Sequence, residues 1–425
     1  MDNKINAREL VLDMLLDVVR NNTHSHVLIK NVLDKYNYIE EQEKAFIKRL
    51  FEGSLEREIT LDYVINSFSN TPVNKMKPLI RCLMRMSVYQ ILFMDRIPDS
   101  AAINEAVKLA KKRKFVNLSG FVNGVLRKVA SQKDTCLETD DLCVKYSVSN
   151  VIIDSLIKDY GIEKTEEILK ASLGERHLFV RVCEELSDKD VETIKSEWDK
   201  ENIWYRQLEF PGYAYELKHT EDIGRLNCFR QGMYTVQDVA SMMVCEYANI
   251  TAGNKVIDVC AAPGGKSLHA ISKGAIVEAR DVSDGKVALI EENKERMHAD
   301  KLTTLVRDAA ILDEDAIKQA DIVIADVPCS GFGVMGRKPD IKRNITKQGL
   351  ESLCELQKAI MDNVWQYAKV GGTLMYSTCT LRKAENDNMV EYLTDKYPLI
   401  LEKMETLFPD ENHDGFFIAR LKRIG

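Results

Sequence analysis

The sequence predicts a doubly wound α/β domain in its C-terminal half, preceded by an all-helical domain and a small α+β module. Three observations carry this expectation. The stretch Val256-Ile-Asp-Val-Cys-Ala-Ala-Pro-Gly-Gly-Lys-Ser267 passes from a short apolar β-type run, through a glycine turn, into a helical run. Strand, turn, helix is the unit that starts such a sheet. Acidic residues then recur at the ends of three successive β-type runs, as Asp281, Asp308 and Asp326. Finally, apolar residues recur at helical spacing through most of residues 5–130.

Length and composition bound the answer. A chain of 425 residues accommodates two or three domains, each with its own core. No apolar run approaches the ~20 residues that span a bilayer. Met1-Asp-Asn-Lys leads into an amphipathic helix and not into a signal-peptide core. A cytoplasmic protein is expected, with no membrane partner. The ten cysteines include no Cys-x-x-Cys pair, which argues against a zinc ribbon or a disulfide framework; no metal centre is expected. The net charge of −7 is unevenly spread. Residues 1–130 hold 21 Lys+Arg against 15 Asp+Glu, and the remainder holds 38 against 51. A basic portion ahead of an acidic one suggests an appendage that binds a polyanion.

In chain order, helices are expected at 7–19, 25–36, 40–53, 57–68, 75–94, 100–114 and 117–130, with Pro72, Pro78 and Pro98 at breaks or first turns. Lys108-Leu-Ala-Lys-Lys-Arg-Lys114 is the densest basic run. With Phe115, Phe121 and Arg127-Lys128 it forms a candidate patch for an RNA backbone. Residues 131–145 are polar and read as a linker. Residues 146–231 read as the α+β module: a helix over 151–169, a strand at Leu178–Val182, a helix over 187–202 with Ser187 as its N-cap, and short strands at 203–208 and 214–217. The domain 232–425 opens with Gln237-Asp-Val-Ala-Ser, read as a helix cap beside the ligand site.

In the glycine turn, Cys260, Ala261, Ala262, Pro263, Gly264, Gly265 and Lys266 are the candidate ligand-binding residues. Glycines let backbone N–H groups approach a ligand, and the following helix offers unpaired donors at its positive end. The phosphate-binding pattern G-x-x-x-x-G-K-[ST] lacks its first glycine here, and the dinucleotide pattern G-x-G-x-x-G is absent. A carboxylate ligand, such as the methionine end of S-adenosyl-L-methionine, fits better than a triphosphate. Asp281, about 20 residues past the glycines, is placed to accept from ribose hydroxyls. Asp308 is placed for the adenine amino group or as a nearby acceptor. The thiol of Cys260 reads as structural.

Two cysteines lie just past strand ends, Cys329 in Asp326-Val-Pro-Cys-Ser-Gly331 and Cys379 in Ser377-Thr-Cys-Thr380. That is the edge where open α/β sheets bind ligands. Methylation of an exocyclic nitrogen favours an Asn/Asp-Pro-Pro-aromatic turn after the fourth strand, but this chain has cysteine in the aromatic position. Carbon 5 of cytosine is a poor nucleophile until a thiolate adds to carbon 6, so a thiol here points to C5 chemistry. A thiol near pKa ~8.5 is mostly protonated at neutral pH, and a base or positive field at Cys379 is expected. The loop Gly331–Lys342 reads as a mobile cover, with Arg337, Lys338 and Lys342 available to phosphates.

The glycine-turn stretch resembles the first motif of the RNA 5-methylcytosine methyltransferases, D-x-C-A-A-P-G-G-K-[ST]. Residues 1–130 resemble the NusB-like RNA-binding domain through Ala7-Arg-Glu, the His26–Leu33 helix, Phe51-Glu-Gly-Ser-Leu-Glu-Arg57, Ile97-Pro-Asp-Ser-Ala-Ala-Ile-Asn-Glu-Ala106 and Phe121-Val-Asn-Gly-Val-Leu-Arg127. The whole order resembles the bacterial ribosomal RNA small-subunit methyltransferase B family, least strongly over 131–230. The resemblance implies a Rossmann-like catalytic domain using S-adenosyl-L-methionine. It implies Cys379 as nucleophile, Cys329 as the group assisting adduct breakdown, and Asp326 as a residue that holds the cytosine edge and lines the donor site. The implied substrate is a cytosine of 16S ribosomal RNA, as naked RNA or an assembly intermediate, bound by a monomer and flipped out of any helix. The same motifs serve transfer RNA, and an RNA-binding assembly factor with a secondary methyltransferase activity is a third reading. Where the family often carries an aromatic after Asp-Ile-Lys, this chain has Arg343.

Overall fold

The computed structural model describes residues 6–425 apart from 22, 37, 175, 176 and 221 and the side chain of 344; the Met1-Asp-Asn-Lys stretch lies outside the described residues. The chain forms two compact units. One takes in residues up to 158, 162–170 and 335–345; the other takes in 159–161, 171–334 and 346–425. Among the described residues no helix is long and apolar enough to cross a membrane.

The first unit is helical: α1 (Ala7–Asn21), α2 (Ser25–Lys35), α3 (Glu41–Glu56), α4 (Glu58–Phe68), α5 (Pro78–Phe93), α6 (Asp99–Lys112) and α7 (Ser119–Ser131). Helix α5 starts with Pro78 in its first turn, where the missing N–H costs nothing. Twelve of its sixteen residues are buried, so it is the central helix. Leu83, Met84 and Val88 share one core with Leu12, Ile47, Phe51 and Leu126. Each such side chain contributes roughly 2 kcal/mol through burial. The one buried charge on α5, Arg85, donates to both carboxylate oxygens of Asp62 at 2.7 and 2.6 Å and sits 2.8 Å from Glu58. The basic run at the end of α6 is partly neutralised by α1: Lys112 lies 2.6 Å from Glu9, and Arg113 pairs with Asp13. Lys111 and Lys114 stay exposed.

Residues 131–145, expected as a linker, carry a further helix, α8 (Leu142–Tyr146). Asp141 caps it by accepting from the Cys143 N–H at 2.9 Å, and Thr60 of α4 donates to the Val144 carbonyl at 2.6 Å. Burial of Val144 and Tyr146 fixes this stretch on the helical unit. Helix α9 (Asn150–Ala171) follows and breaks at Gly161, whose φ is 77°.

The second unit opens with β1 (Leu178–Val182), α10 (Asp188–Lys200), β2 (Trp204–Gln207), β3 (Ala214–Lys218), α11 (Asn227–Arg230) and β4 (Tyr234–Val236). The strands form an antiparallel sheet, β2-β3-β1-β4. Ser187 and Asp190 make a reciprocal capping box at α10. Trp198 is fully buried against Tyr205, Tyr215 and Tyr234. Strand β4 begins past residue 231, where the catalytic domain was expected to start, and it pairs with β1. Small sheet and catalytic fold are further joined by the buried Arg181, which donates to Gln237 at 2.8 Å and Ser272 at 3.0 Å.

The catalytic fold consists of α12 (Val239–Ala248), β5 (Lys255–Asp258), α13 (Gly265–Ser272), β6 (Ile276–Asp281), α14 (Asp284–Arg296), β7 (Leu302–Val306), β8 (Ala320–Asp326), α16 (Lys347–Val364), β9 (Ala368–Thr378), α17 (Asp387–Lys396), β10 (Leu399–Leu407) and β11 (Phe416–Arg423); the chain between β8 and α16 carries α15 (Asp340–Asn344). The sheet order is β10-β11-β9-β8-β5-β6-β7, parallel from β9 to β7 and antiparallel at β11 and β10. Alternating side chains divide between two faces. Ile257, Val323, Leu374, Tyr376 and Phe417 pack with Ile360, Met361 and Leu393. Val256, Ile322, Ile324, Met375 and Ile418 pack with Val244, Leu268 and Ile290. The sequence run Asp414-Gly-Phe-Phe-Ile-Ala-Arg-Leu-Lys422 reads as a last strand closing the sheet. Strand β11 lies inside it instead, and β10 is the outer strand. Five consecutive exposed residues on β10 gave no alternating signal to read.

The loop after β8 differs from the expected mobile cover. Its segment 335–345, which includes α15, belongs to the helical unit. Asp340 accepts from the N–H and hydroxyl of Ser25, both at 2.9 Å. Lys342 is only 2% exposed, with its ammonium 4.0 Å from Glu56, and Arg343 lies 2.7 Å from Glu58. Opposite charges on α3 and α4 hold the side chains at 342 and 343, so a buried Lys342 is not presented to phosphates.

Candidate active site

Strand order reverses between β5 and β8, with helices leaving to opposite faces, so a crevice opens at their carboxyl ends. Strand β5 ends at Asp258, which is 1% exposed. Ser267 donates to its Oδ2 at 2.7 Å, while its Oδ1 is buried with no hydrogen-bond partner among the described residues. Burial pushes this carboxyl up to about 7, against the opposing pull of Ser267 and the Lys266 ammonium. The turn that follows needs glycine at 264, where φ is 104°. Gly264 is the N-cap of α13, and the head of that helix presents unpaired N–H groups. Beside it, Asp238 caps α12 by accepting from the Ala240 N–H at 3.0 Å.

Asp281, 4% exposed at the end of β6, accepts from the Ala262 N–H at 3.0 Å and the Val282 N–H at 2.8 Å, and Lys286 lies 3.1 Å away. It therefore braces the Ala-Ala-Pro-Gly turn. Asp308 is exposed past β7, with Oδ1 accepting from the Ala310 N–H at 2.9 Å. Burial raises the Cys260 thiol, with Asp258 adding to the effect, which keeps it uncharged.

On the other side of the crevice, Asp326 and Ser377 are register partners on β8 and β9. The next residues bring Cys329 and Cys379 together, Sγ to Sγ 3.2 Å. Contact with the Cys379 thiol, followed by burial, pushes the Cys329 thiol well up. Gly333 donates its N–H to the Cys379 carbonyl at 3.0 Å. Asp326 links the two sides: its Oδ2 is 2.5 Å from the Lys266 ammonium, and its Oδ1 accepts from the Ser377 hydroxyl at 3.0 Å. Burial opposes the charge on Lys266, but Asp326, with Asp258 adding to it, holds the group above the ordinary lysine range. The Lys266 ammonium also lies 5.4 Å from the centre of the Phe416 ring.

The sequence candidates thus converge on one crevice: the 260–266 turn, Asp281, Asp326, Cys329 and Cys379, with Asp308 exposed at the end of β7. Sequence reasoning missed Ser267, Gln357, Ser377, Glu385 and Phe416. Ser377 adjoins the Thr-Cys motif, and its place opposite Asp326 follows once β8 and β9 are paired. Phe416 comes from β11, and no local pattern ties it to Lys266.

Residues 5–131 match the NusB family, and residues 247–422 match a family described as 16S rRNA methyltransferase RsmB/F. The probable ribosomal RNA small subunit methyltransferase B of Bacillus subtilis (strain 168) is 31% identical over 452 residues, covering 99% of this chain and 100% of that protein. The ribosomal RNA small subunit methyltransferase B of Escherichia coli O1:K1 / APEC is 29% identical, covering 90% of this chain and 91% of its own. Among solved structures, that of PH0851 is similar with a TM-score of 0.83 at 21% identity, over 99% of both chains. A methyltransferase homolog from Pyrococcus horikoshii has a TM-score of 0.58 at 21% identity, over 67% of this chain and 98% of that one. Both likenesses are of fold; in this chain a Rossmann-like methyltransferase domain with a seven-stranded mixed sheet follows a NusB domain. On full-length similarity to the first of these relatives, the chain belongs to the ribosomal RNA small subunit methyltransferase B family.

Proposed function

We propose that this chain methylates C5 of a cytosine in 16S ribosomal RNA, taking the methyl group from S-adenosylmethionine through a transient bond between Cys379 and C6. The observation that carries the reading is the meeting of two thiols at 3.2 Å beside the Lys266–Asp326 pair. Methylation of an oxygen or exocyclic nitrogen needs neither sulfur.

The glycine-turn side fits the donor. An open helix head suits a carboxylate, and the partnerless oxygen of Asp258 suits an ammonium; the methionine end of S-adenosylmethionine carries both. Asp281, with lone pairs beyond those it uses, suits ribose hydroxyls, and Asp308 is the acceptor left for adenine. When bound, the donor supplies an electrophilic methyl group. Cys379 as thiolate forms the S–C6 bond, and the ring electrons displaced onto C5 form the new C–CH3 bond as the methyl group's bond to the donor sulfur breaks, its electron pair staying on that sulfur. Asp326 and Lys266 orient the cytosine edge near N3. Cys329 stands next to the adduct and assists its breakdown: a solvent hydroxide takes the C5 proton, the C5–H electron pair restores the C5–C6 double bond, and the S–C6 pair returns to Cys379. The basic residues of α6 support binding to the phosphate backbone.

Tritium transfer to naked 16S RNA, transfer RNA and assembled small subunits tests the substrate. Label in the 16S RNA alone, at C5, is expected. Label in transfer RNA would overturn the assignment, and no label in any of them would favour the assembly-factor reading. Cys329→Ala is expected to trap a covalent RNA adduct and Cys379→Ala none; the reverse would exchange their roles.

A further inference from the structure

Both cysteine loops are gripped from beneath by one buried dipeptide, Glu385-Asn386, just ahead of α17. Both residues are fully buried. Glu385 Oε2 accepts from the Ser330 N–H and from Gln357 Nε2, each at 2.9 Å. Its Oε1 accepts from the Ser330 hydroxyl at 2.6 Å and from Arg382 at 3.1 Å. Ser330 follows Cys329. Gln357, from α16, also donates to the carbonyl of Pro328 at 2.9 Å, and Pro328 precedes Cys329. The Cys329 turn is therefore held on both sides of its sulfur.

Asn386 holds the other loop in the same way. Its Oδ1 accepts from the Thr378 hydroxyl at 2.7 Å, and its Nδ2 donates to the Thr380 carbonyl at 3.0 Å. Those two residues flank Cys379. A contact of 2.7 Å between the Ser330 and Thr380 hydroxyls joins the two halves.

We propose that Glu385 is the positioning residue for Cys329 and Asn386 the positioning residue for Cys379, so that the pair sets the distance between the sulfurs. The proposal rests on the covalent reading above and assigns a separate step to each residue. A glutamine at 385 keeps the shape of the side chain but has one NH2 group. That group must face either the Ser330 N–H with the Gln357 amide, or Arg382, and both orientations set donor against donor. The turn moves while β8 keeps Asp326 in place. A misplacement of about 1 Å costs on the order of 100-fold in rate, and here it falls on the step that uses Cys329, which is release of the adduct.

Steady-state kinetics combined with denaturing gels on the full chain and 16S RNA test this. Glu385→Gln is expected to keep KM for RNA and donor within roughly two-fold, to lose about 100-fold in turnover, and to accumulate the covalent RNA species, as Cys329→Ala does. Asn386→Ala is expected to lose turnover with no adduct, as Cys379→Ala does. Glu385→Asp, which keeps the charge, recovers part of the rate. Should Glu385→Gln fail to fold, Ser330→Ala removes one hydroxyl and is expected to give the same accumulation at lower amplitude. Full turnover in Glu385→Gln, or loss of turnover without adduct, overturns the proposal. If Cys329→Ala itself accumulates nothing, the covalent reading of Cys329 is what fails.

Discussion

Replacing Asp258 with asparagine tests whether the carboxyl under the glycine turn is held near-neutral in wait for a cationic ligand group. The side chain is 1% exposed and has one oxygen without a hydrogen-bond partner among the described residues. Facing it are Ser267, Lys266, Asp326 and the Cys260 N–H, and burial outweighs the groups among them that favour its charge, holding the carboxyl up at about 7 against an ordinary 3.8. A raised carboxyl binds its proton more tightly folded than unfolded, so its stabilising contribution is complete below pH 3.8 and is lost as pH rises through 7. Over the whole window the loss is about 4 kcal/mol, and between pH 5 and 8 it is about 3 kcal/mol. Asparagine keeps the Ser267 contact and does not ionise. Calorimetric melting of both proteins from pH 5 to 8 is the assay. The second unit of the wild type should lose roughly 6 °C relative to Asp258→Asn over that range, at roughly 2 °C per kcal/mol for a unit of this size. The variant should also bind S-adenosylmethionine at least about 10-fold more weakly at pH 8, having lost a charge-assisted partner for the ammonium. Parallel melting profiles would refute the burial argument, and unchanged donor affinity would refute the assignment of the free oxygen.

Other perturbations probe the rest of the crevice and the helical unit. At Gly333 an added Cβ would lie 1.9 Å from the Gly415 carbonyl oxygen; with backbone on both sides, Gly333→Ala should destabilise by more than about 3 kcal/mol and abolish turnover, as read by melting and tritium transfer. Lys266→Met leaves Asp326 with only the Ser377 hydroxyl; turnover should fall about 100-fold while the fold is kept, measured by kinetics and circular dichroism. Replacing the exposed Lys111 and Lys114 together with alanine should weaken RNA binding and reduce the slope of log K against log salt by about 1.5. Lys112→Ala should change that slope less, because Lys112 is paired with Glu9. Filter binding between 50 and 200 mM salt, the range over which such slopes are usually read, checks both.

Features set by neighbours in the chain were legible before any coordinates. The N-cap at Ser187, the glycine turn and the strand ends at Asp281 and Asp326 all follow from spacing within a few residues. The helices of the first unit follow from a period that each helix carries within itself. The errors share a cause. Residues 131–145 look polar and linker-like because few of them turn inward: Cys136 and Leu137 pack partly on the helical core, and the buried Val144 meets α4 through Thr60. The loop 331–342, with its glycines, looks like a mobile cover because nothing local reveals Glu56, Glu58 and Ser25, which hold the segment 335–345.

The chain order alone determined which chemical groups are present: a donor-type turn, strand-end carboxylates, and two sulfurs after two strands. Tertiary structure alone decided their distances. Register pairing of β8 with β9 sets Asp326 against Ser377 and Cys329 within 3.2 Å of Cys379. Packing of β11 carries Phe416 to Lys266, and the buried Glu385-Asn386 pair anchors both cysteine loops. Local spacing encodes periodicity and turn geometry because steric limits act between near neighbours. Contacts between strands depend on which apolar faces find each other in the packed core, and that is a property of the whole fold.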